Sequence, residues 1–361
     1  MLDYFEIDFL NVESKKSGDA IPLWYSAGGV TRIHVVDGGF QDTGDKVVEH
    51  IKKYYGYPRR IDAVIVSHPD GDHSGGLRTV LEDFEVSTLW MLRPWLYANE
   101  LIDRFSRFSN VYNLVHRLKD IYPNIAALEK IANAKGIPIY APFQGTQIGE
   151  FTVLAPTKQR YLDLVVASEK TPEATKELIE HFLKREQNLF QRAALHAVSF
   201  IRSLWGEEIF SPEETSSENE MSIVQYANLC GKRILLTADA GRGTLIEAAN
   251  YARKVLPGID FFQVPHHGSR RNVSTDILDF LLGKRLPRKL EEGSEKFTAI
   301  ISASKGDKDH PRKAVVRACI HRGAKVISNQ DGNKYVFHNR SLRAGWTTPS
   351  GLPYPEDQEK D

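Results

Sequence analysis

Cysteine is scarce in this chain. Only Cys230 and Cys319 occur in 361 residues. A disulfide framework and a structural zinc knuckle are thereby excluded, and two reduced thiols are expected. Charge of one sign is also lacking. Lysine plus arginine is 47 and aspartate plus glutamate is 47, a formal charge of +0. No global basic field would hold the protein on nucleic acid or on an acidic membrane. No apolar run approaches the ~18 residues that cross a bilayer. The opening Met1-Leu2-Asp3-Tyr4-Phe5-Glu6 lacks the basic and apolar regions of a signal peptide. The expectation is a cytoplasmic protein with no membrane partner. Low-complexity tracts and short repeats are absent as well. What is left is an ordinary globular composition, 41% hydrophobic and 26% charged, which rules out a disordered chain.

Short apolar runs alternate with helical periodicity. Strands are predicted at 5–12, 31–36, 63–66, 87–92, 137–140 and 151–154, with helices at 45–55, 77–84 and 110–135, the last broken at Pro123. A second β-rich run has strands at 222–226, 233–237, 261–264, 298–303, 325–328 and 334–337. Helices at 243–255, 275–282 and 312–322 separate them. Between the two runs, Leu178, Phe182, Leu189, Ala193, Ala197, Ile201 and Leu204 recur at helical spacing. A helical insertion over about 157–212 is expected, centred on 171–205 and carrying His181 and His196. The expected organisation is a single domain, 1–340, followed by a loosely ordered tail, 341–361, rich in proline, glycine and charge. Two β-rich runs with helices between strands imply an α/β (α+β) fold of two stacked sheets with helices outside.

The chemistry concentrates in Ser67-His68-Pro69-Asp70-Gly71-Asp72-His73-Ser74-Gly75-Gly76, directly after a buried strand. Two histidines and two aspartates within six residues are good ligands for a divalent ion. Alternate side chains of such a turn fan to different sides, so one loop can serve two metals. Without a cation between them, four such groups would repel one another or waste burial.

The segment matches the H-x-[HD]-x-D-H signature and resembles the metallo-β-lactamase superfamily. Later blocks follow in the order the resemblance requires: Thr237-Ala238-Asp239, then Val264-Pro265-His266-His267-Gly268-Ser269. The resemblance implies the αββα sandwich of that superfamily. It implies metal ligands His68, Asp70, Asp72, His73, Asp239 and His266, with Asp239 bridging and Asp37 bracing the loop. Either of the two adjacent histidines could be the ligand. With His266 as ligand, the expected catalytic set is Asp72, His267, Ser269, Asn219 and His310. The HHGS block, the stretch Asn219-Glu220-Met221-Ser222-Ile223-Val224 and His310-Pro311 are similar to the soluble metallohydrolase domain of DNA-internalisation competence proteins, and more distantly to phosphorylcholine esterase.

The resemblance implies hydrolysis by a metal-bridged hydroxide, with two divalent ions, Mn²⁺ or Zn²⁺, as cofactors. Val153-Leu154-Ala155-Pro156 carries no ligand where relatives have a further histidine. A first site of His68, Asp70 and Asp239 would be oxygen-rich and lean towards manganese. The expected reaction is phosphodiester hydrolysis, with DNA or another phosphodiester as substrate and a protein partner in a multi-component assembly. The alternative is a small-molecule hydrolase acting on a lactone, thioester or phosphorylcholine-type ester. Arg270, Arg271, Arg312 and Lys313 form a basic cluster that could guide a polyanion.

Overall fold

The computed structural model describes residues 2–12, 15–171 and 206–359. Its first half supplies β1 (Tyr4–Phe9), β2 (Ala20–Ala27), β3 (Val30–Gly38), β4 (Arg60–Ile61), β5 (Ala63–Ile65), β6 (Glu85–Val86), β7 (Leu89–Trp90) and β8 (Ile139–Tyr140). The second half supplies β9 (Gln147–Ile148), β10 (Phe151–Ala155), β11 (Val224–Leu229), β12 (Lys232–Leu236), β13 (Phe261–Gln263), β14 (Phe297–Ile301), β15 (Ala324–Ser328) and β16 (Lys334–His338). Two sheets of seven strands result, in the orders β16-β1-β2-β3-β5-β7-β8 and β15-β14-β13-β12-β11-β10-β9. β4 and β6 pair separately.

Both large sheets are built alike. Each begins with antiparallel pairs and ends with parallel ones: β3–β5–β7–β8 in the first and β12–β13–β14–β15 in the second. Parallel strands need crossovers, and the crossover helices cover the outer faces. The strands read accordingly. In β12, Ile234 and Leu236 enter the core shared with the first sheet, while Leu235 joins the helices Arg242–Tyr251, Thr275–Leu282 and Lys313–His321 outside. Phe5 of β1 packs edge-on against Phe261 of β13, at 5.6 Å between ring centres, across the two sheets. This is the expected αββα arrangement.

β2 was not among the predicted strands. Its sequence, Ala-Ile-Pro-Leu-Trp-Tyr-Ser-Ala, is buried on both faces and carries Pro22, which reads against a strand. Pro22 falls outside the β1 register, which pairs Leu23 to Ser26, so its missing N–H leaves that ladder intact.

The stretch expected as a helical insertion begins with helix Lys158–Ala167, N-capped by Thr157. Residues 172–205, which carry its apolar periodicity, His181 and His196, lie outside the described residues. The tail differs from expectation. Up to Glu359 it lies along the domain with specific partners. Arg343 forms ion pairs with Asp8 and Glu6, both at 2.6 Å, and the Trp346 ring meets Tyr335 and Tyr54. Glu359 accepts from the backbone N–H of Lys313, at the start of helix Lys313–His321, at 2.7 Å. Composition suggested looseness, but it could not report these distant acceptors and rings. No described helix is long and apolar enough to cross a membrane.

Candidate metal centre

Parallel strands present their C-terminal ends on one edge, and the functional loops gather there. Asp37 closes β3, Ser67 and His68 follow β5, Asp239 follows β12, His266 and His267 follow β13, and Ser302 follows β14. The loop after β5 turns at Asp70 into the short helix Gly71–Ser74, with Ser74 Oγ donating to Asp70 O at 2.8 Å. Gly76 is required at the bend, because a Cβ there would collide with the carbonyl oxygen of Gly38.

The turn after β13 sets the geometry. His266 and His267 both have left-handed backbones, φ 47° and 56°. In an extended strand, adjacent side chains point to opposite faces. Two consecutive left-handed residues instead bring both imidazoles to Asp239. Such a conformation costs roughly 1–2 kcal/mol per non-glycine residue, and it persists where the surroundings over-determine it.

Asp239 is the centre. Its Oδ1 lies 3.3 Å from His73 Nε2 and 3.7 Å from His267 Nε2. Its Oδ2 lies 3.6 Å from His266 Nε2 and 3.9 Å from His68 Nε2. Asp72 Oδ2 is 4.0 Å from both His73 Nε2 and His267 Nε2, and Asp70 Oδ2 is 4.0 Å from His68 Nε2. Ligand atoms from Asp72, His73, Asp239 and His267 all lie within 4.8 Å of one another.

The outer nitrogens are held by partners that fix the rings. His73 Nδ1 donates to Asp37 Oδ2 at 2.8 Å, and His267 Nδ1 donates to Ser302 O at 2.8 Å. His266 Nδ1 donates to Asn272 Oδ1 at 2.8 Å. His68 Nδ1 meets Ser67 Oγ at 2.9 Å, and Asp37 accepts from both the N–H and the hydroxyl of Ser67. The inner atoms are left over. Among the described residues, His68 Nε2, His73 Nε2, His267 Nε2 and Asp239 Oδ1 are buried and make no hydrogen bond. Three of them, His73 Nε2, His267 Nε2 and Asp239 Oδ1, belong to the closed group, and such atoms left unsatisfied would be costly in a folded protein. A cation satisfies all of them. The spacing agrees, since bonds of about 2.0–2.1 Å at tetrahedral angles separate ligand atoms by about 3.3 Å. The cluster therefore fits a metal site.

Electrostatics are those of a site that holds cations. Burial opposes charge on Asp239, yet His73, His267 and His266 pull its carboxyl well below the usual range. Burial also opposes charge on His73, and the carboxylates of Asp239 and Asp37 outweigh it and raise its pKa well above the ordinary value. Burial lowers His267 to about 4, leaving it neutral and able to ligate.

The residues expected from sequence fall as follows. His68, Asp70, Asp72, His73, Asp239 and His266 converge at one edge, with Asp37 behind them. The division of labour between the adjacent histidines differs from expectation. His267, expected as a charge-stabilising donor, has its Nε2 in the closed four-atom group, while its other nitrogen is committed to Ser302 O. His266 faces the opposite carboxylate oxygen, on the side where sequence showed no third histidine. Asn219 lies 3.4 Å from His266 Nδ1 and donates to Thr215 Oγ1. Ser269 is buried, and its hydroxyl accepts from Arg271 N. His310 Nδ1 donates to Asp307 Oδ2 at 3.0 Å, and its ring centre is 5.5 Å from that of His266. A cavity of about 600 Å³ opens beside His266, bounded by Ser269, His310, Arg271, Arg312 and Ser211. The basic cluster is largely paired within the protein: Arg271 with Glu213, Arg312 with Asp309, and Lys313 with Asp357.

Several site residues had no signal in the sequence. Asp19 lies 3.8 Å from His73 Nδ1 and accepts from Gln263 Nε2 at 3.0 Å, and burial raises its carboxyl to about 7. Asn272 donates to Asp239 O at 2.8 Å. Lys170 reaches Asp70 Oδ1 at 2.7 Å. None stands in a ligand-like spacing. Only the folded edge brings them in.

Residues 28–142 match the family model described as the metallo-beta-lactamase superfamily. Over that segment, about a third of its length, the chain is similar to the metallo-β-lactamase superfamily. The matched segment contains β3, the loop from His68 to His73 and Asp37. No curated protein sequence matches the chain. Solved structures similar to it include the hydrolase AbOPH of the beta lactamase superfamily, at 11% identity and TM-score 0.29, covering 61% of this chain and 56% of that one. The chain thus spans little more than half the length of AbOPH. The CmlA beta-hydroxylase is similar at 9% identity and TM-score 0.38, covering 92% and 53%. AidC, a dizinc quorum-quenching lactonase, is similar at 11% identity and TM-score 0.28, covering 65% and 67%. The matched segment holds Asp72 and His73 of the Asp and His cluster, while Asp239 and His267 lie beyond it.

Proposed function

We propose that the protein is a two-metal phosphodiesterase, with nucleic acid as its favoured polymer substrate. The observation that carries this reading is the division of donors around Asp239. His73, His267 and Asp72 gather with one carboxylate oxygen in a closed group, whereas His68 and His266 lie on the side of the other, with Asp70 4.0 Å from His68. Each half offers two imidazoles and two carboxylates, a set that suits Zn²⁺ or Mn²⁺. On this reading His266 adds an imidazole to the half for which the sequence offered His68, Asp70 and Asp239, and the resulting set suits either ion. When bound, two divalent ions would lower the pKa of a water and take up charge on reacting oxygens.

The chain's own residues then have distinct tasks. Asp37, Ser302 and Asn272 hold the imidazoles in fixed orientations. Asp70 and Asp72 are part-exposed, so a substrate reaches the centre from their side. His310, oriented by Asp307, stands at the cavity wall where a leaving oxygen would sit. Lys170 and the rim arginines supply positive charge to a phosphate. A second reading, hydrolysis of a small ester or lactone, is favoured by one observation: Arg271 and Arg312 are already paired with Glu213 and Asp309. Those pairs weaken the attraction for a long polyanion.

The test is a substrate panel. Purified protein with Mn²⁺ or Zn²⁺ is assayed on linear, circular and single-stranded DNA, bis-p-nitrophenyl phosphate, a lactone and a thioester. Phosphodiester cleavage that exceeds ester cleavage and vanishes on chelation supports the proposal. Fast lactone or thioester turnover with no phosphodiester cleavage replaces it with the second reading.

A further inference from the structure

The two halves of the centre share Asp239 but differ in the second carboxylate. Asp72 makes ion pairs, among the described residues, only with the imidazoles of His73 and His267. Asp70 instead gives one oxygen, Oδ1, to the ammonium of Lys170 at 2.7 Å and turns the other, Oδ2, towards His68. Lys170 is held there from behind. Its Nζ lies 4.0 Å from Glu218 Oε2, and Glu218 is buried and accepts hydrogen bonds from Ser168 and Tyr122. The lysine side chain is 48% exposed, so it can leave Asp70 for solvent.

We propose that Lys170 is a built-in competitor for Asp70, so that the two metal positions bind unequally. The His73–His267–Asp72 position binds tightly. The His68–His266–Asp70 position binds weakly and exchanges its ion. The physical reason is simple. A carboxylate already neutralised by an ammonium is a poorer metal ligand, and a unit positive charge beside the position repels a dication. Loading the weak position requires Lys170 to swing away or to share Asp70. An anionic group that takes over the ammonium would favour loading, because coupling between two ligands is reciprocal. The inference rests on the two-metal reading above and adds to it which position is exchangeable and why.

The experiment is calorimetric titration of the metal-stripped full chain with Zn²⁺, alongside Lys170→Gln, Lys170→Arg and Asp70→Asn. Wild type should show two steps separated by at least about tenfold in Kd. Lys170→Gln should strengthen the weak step by about tenfold or more, the size expected for removing a unit charge near a dication even under water-like screening. Lys170→Arg should keep the gap. Asp70→Asn should remove the weak step and spare the tight one. An unchanged Lys170→Gln isotherm, or loss of the tight step in Asp70→Asn, overturns the inference while leaving two metals in place. Binding of fewer than two ions by wild type overturns the two-metal reading itself.

Discussion

His266 and His267, adjacent in sequence, face the two different oxygens of one carboxylate. His266 Nε2 lies 3.6 Å from Asp239 Oδ2, and His267 Nε2 lies 3.7 Å from Asp239 Oδ1. Two neighbouring side chains thereby face the two sides of one carboxylate.

Each histidine should therefore cost one metal, and not the same one. His266→Ala and His267→Ala are both expected to fall from about two ions per chain to about one, by elemental analysis. Combining each with Asp70→Ala separates them. His266→Ala with Asp70→Ala should keep one ion, because both changes fall on the same half, whereas His267→Ala with Asp70→Ala should keep none. The reverse pattern would exchange the two assignments.

Asp37 touches no candidate metal position, yet it orients His73 directly and His68 through Ser67. Asp37→Asn should lower metal affinity by about 10- to 100-fold, the usual effect of losing such a support. Competition with a chromophoric chelator measures it. Unchanged affinity would mean that the rings are held by packing alone.

His34 is buried far from the metal loop, with Tyr25 OH 3.2 Å from its Nε2, and burial lowers its pKa from 6.5 to about 3. The folded state therefore stays neutral there between pH 6.5 and 3, while the unfolded chain takes up a proton. Protons then favour unfolding, so this contribution to stability is present above pH 6.5 and is lost as pH falls. Between pH 7 and 5 the loss is about 2 kcal/mol. Urea midpoints of His34→Gln should shift less over that range than those of wild type. Equal shifts would assign the acid sensitivity to other groups.

Glu208 is buried against His321 Nδ1 at 2.7 Å and Arg322 Nη1 at 2.9 Å. Burial alone would raise its pKa, and these two partners bring it down to about 2. Glu208→Ala strands a buried guanidinium, so a loss of about 3–5 kcal/mol is expected in denaturant unfolding. Glu208→Gln should lose less. A loss under about 1 kcal/mol for the alanine variant would show that Asp279 suffices for Arg322.

The sequence by itself determined two stacked sheets with helices outside, and which histidines and aspartates follow their strands. Period-two burial in β12, unbroken apolar runs such as Ala63–Ile65 and polar blocks after strands are local properties. Burial and parallel pairing turn them into sheets with one loaded edge. The loop from His68 to His73 was legible because its histidines and aspartates are neighbours in the chain. Only the tertiary structure decided the rest. Which adjacent histidine faces which oxygen depends on two left-handed backbone angles that no composition encodes. Asp19 and Lys170 reach the site from distant segments, through the folding of the chain rather than any spacing, and Asn272 turns back onto His266 from six residues on. The tail, polar enough to read as loose, is fixed by Arg343 in the carboxylates of Asp8 and Glu6, partners more than three hundred residues away. Contacts at that separation are set by the pairing of β16 with β1 inside the first sheet, and a local reading of residues has no access to them.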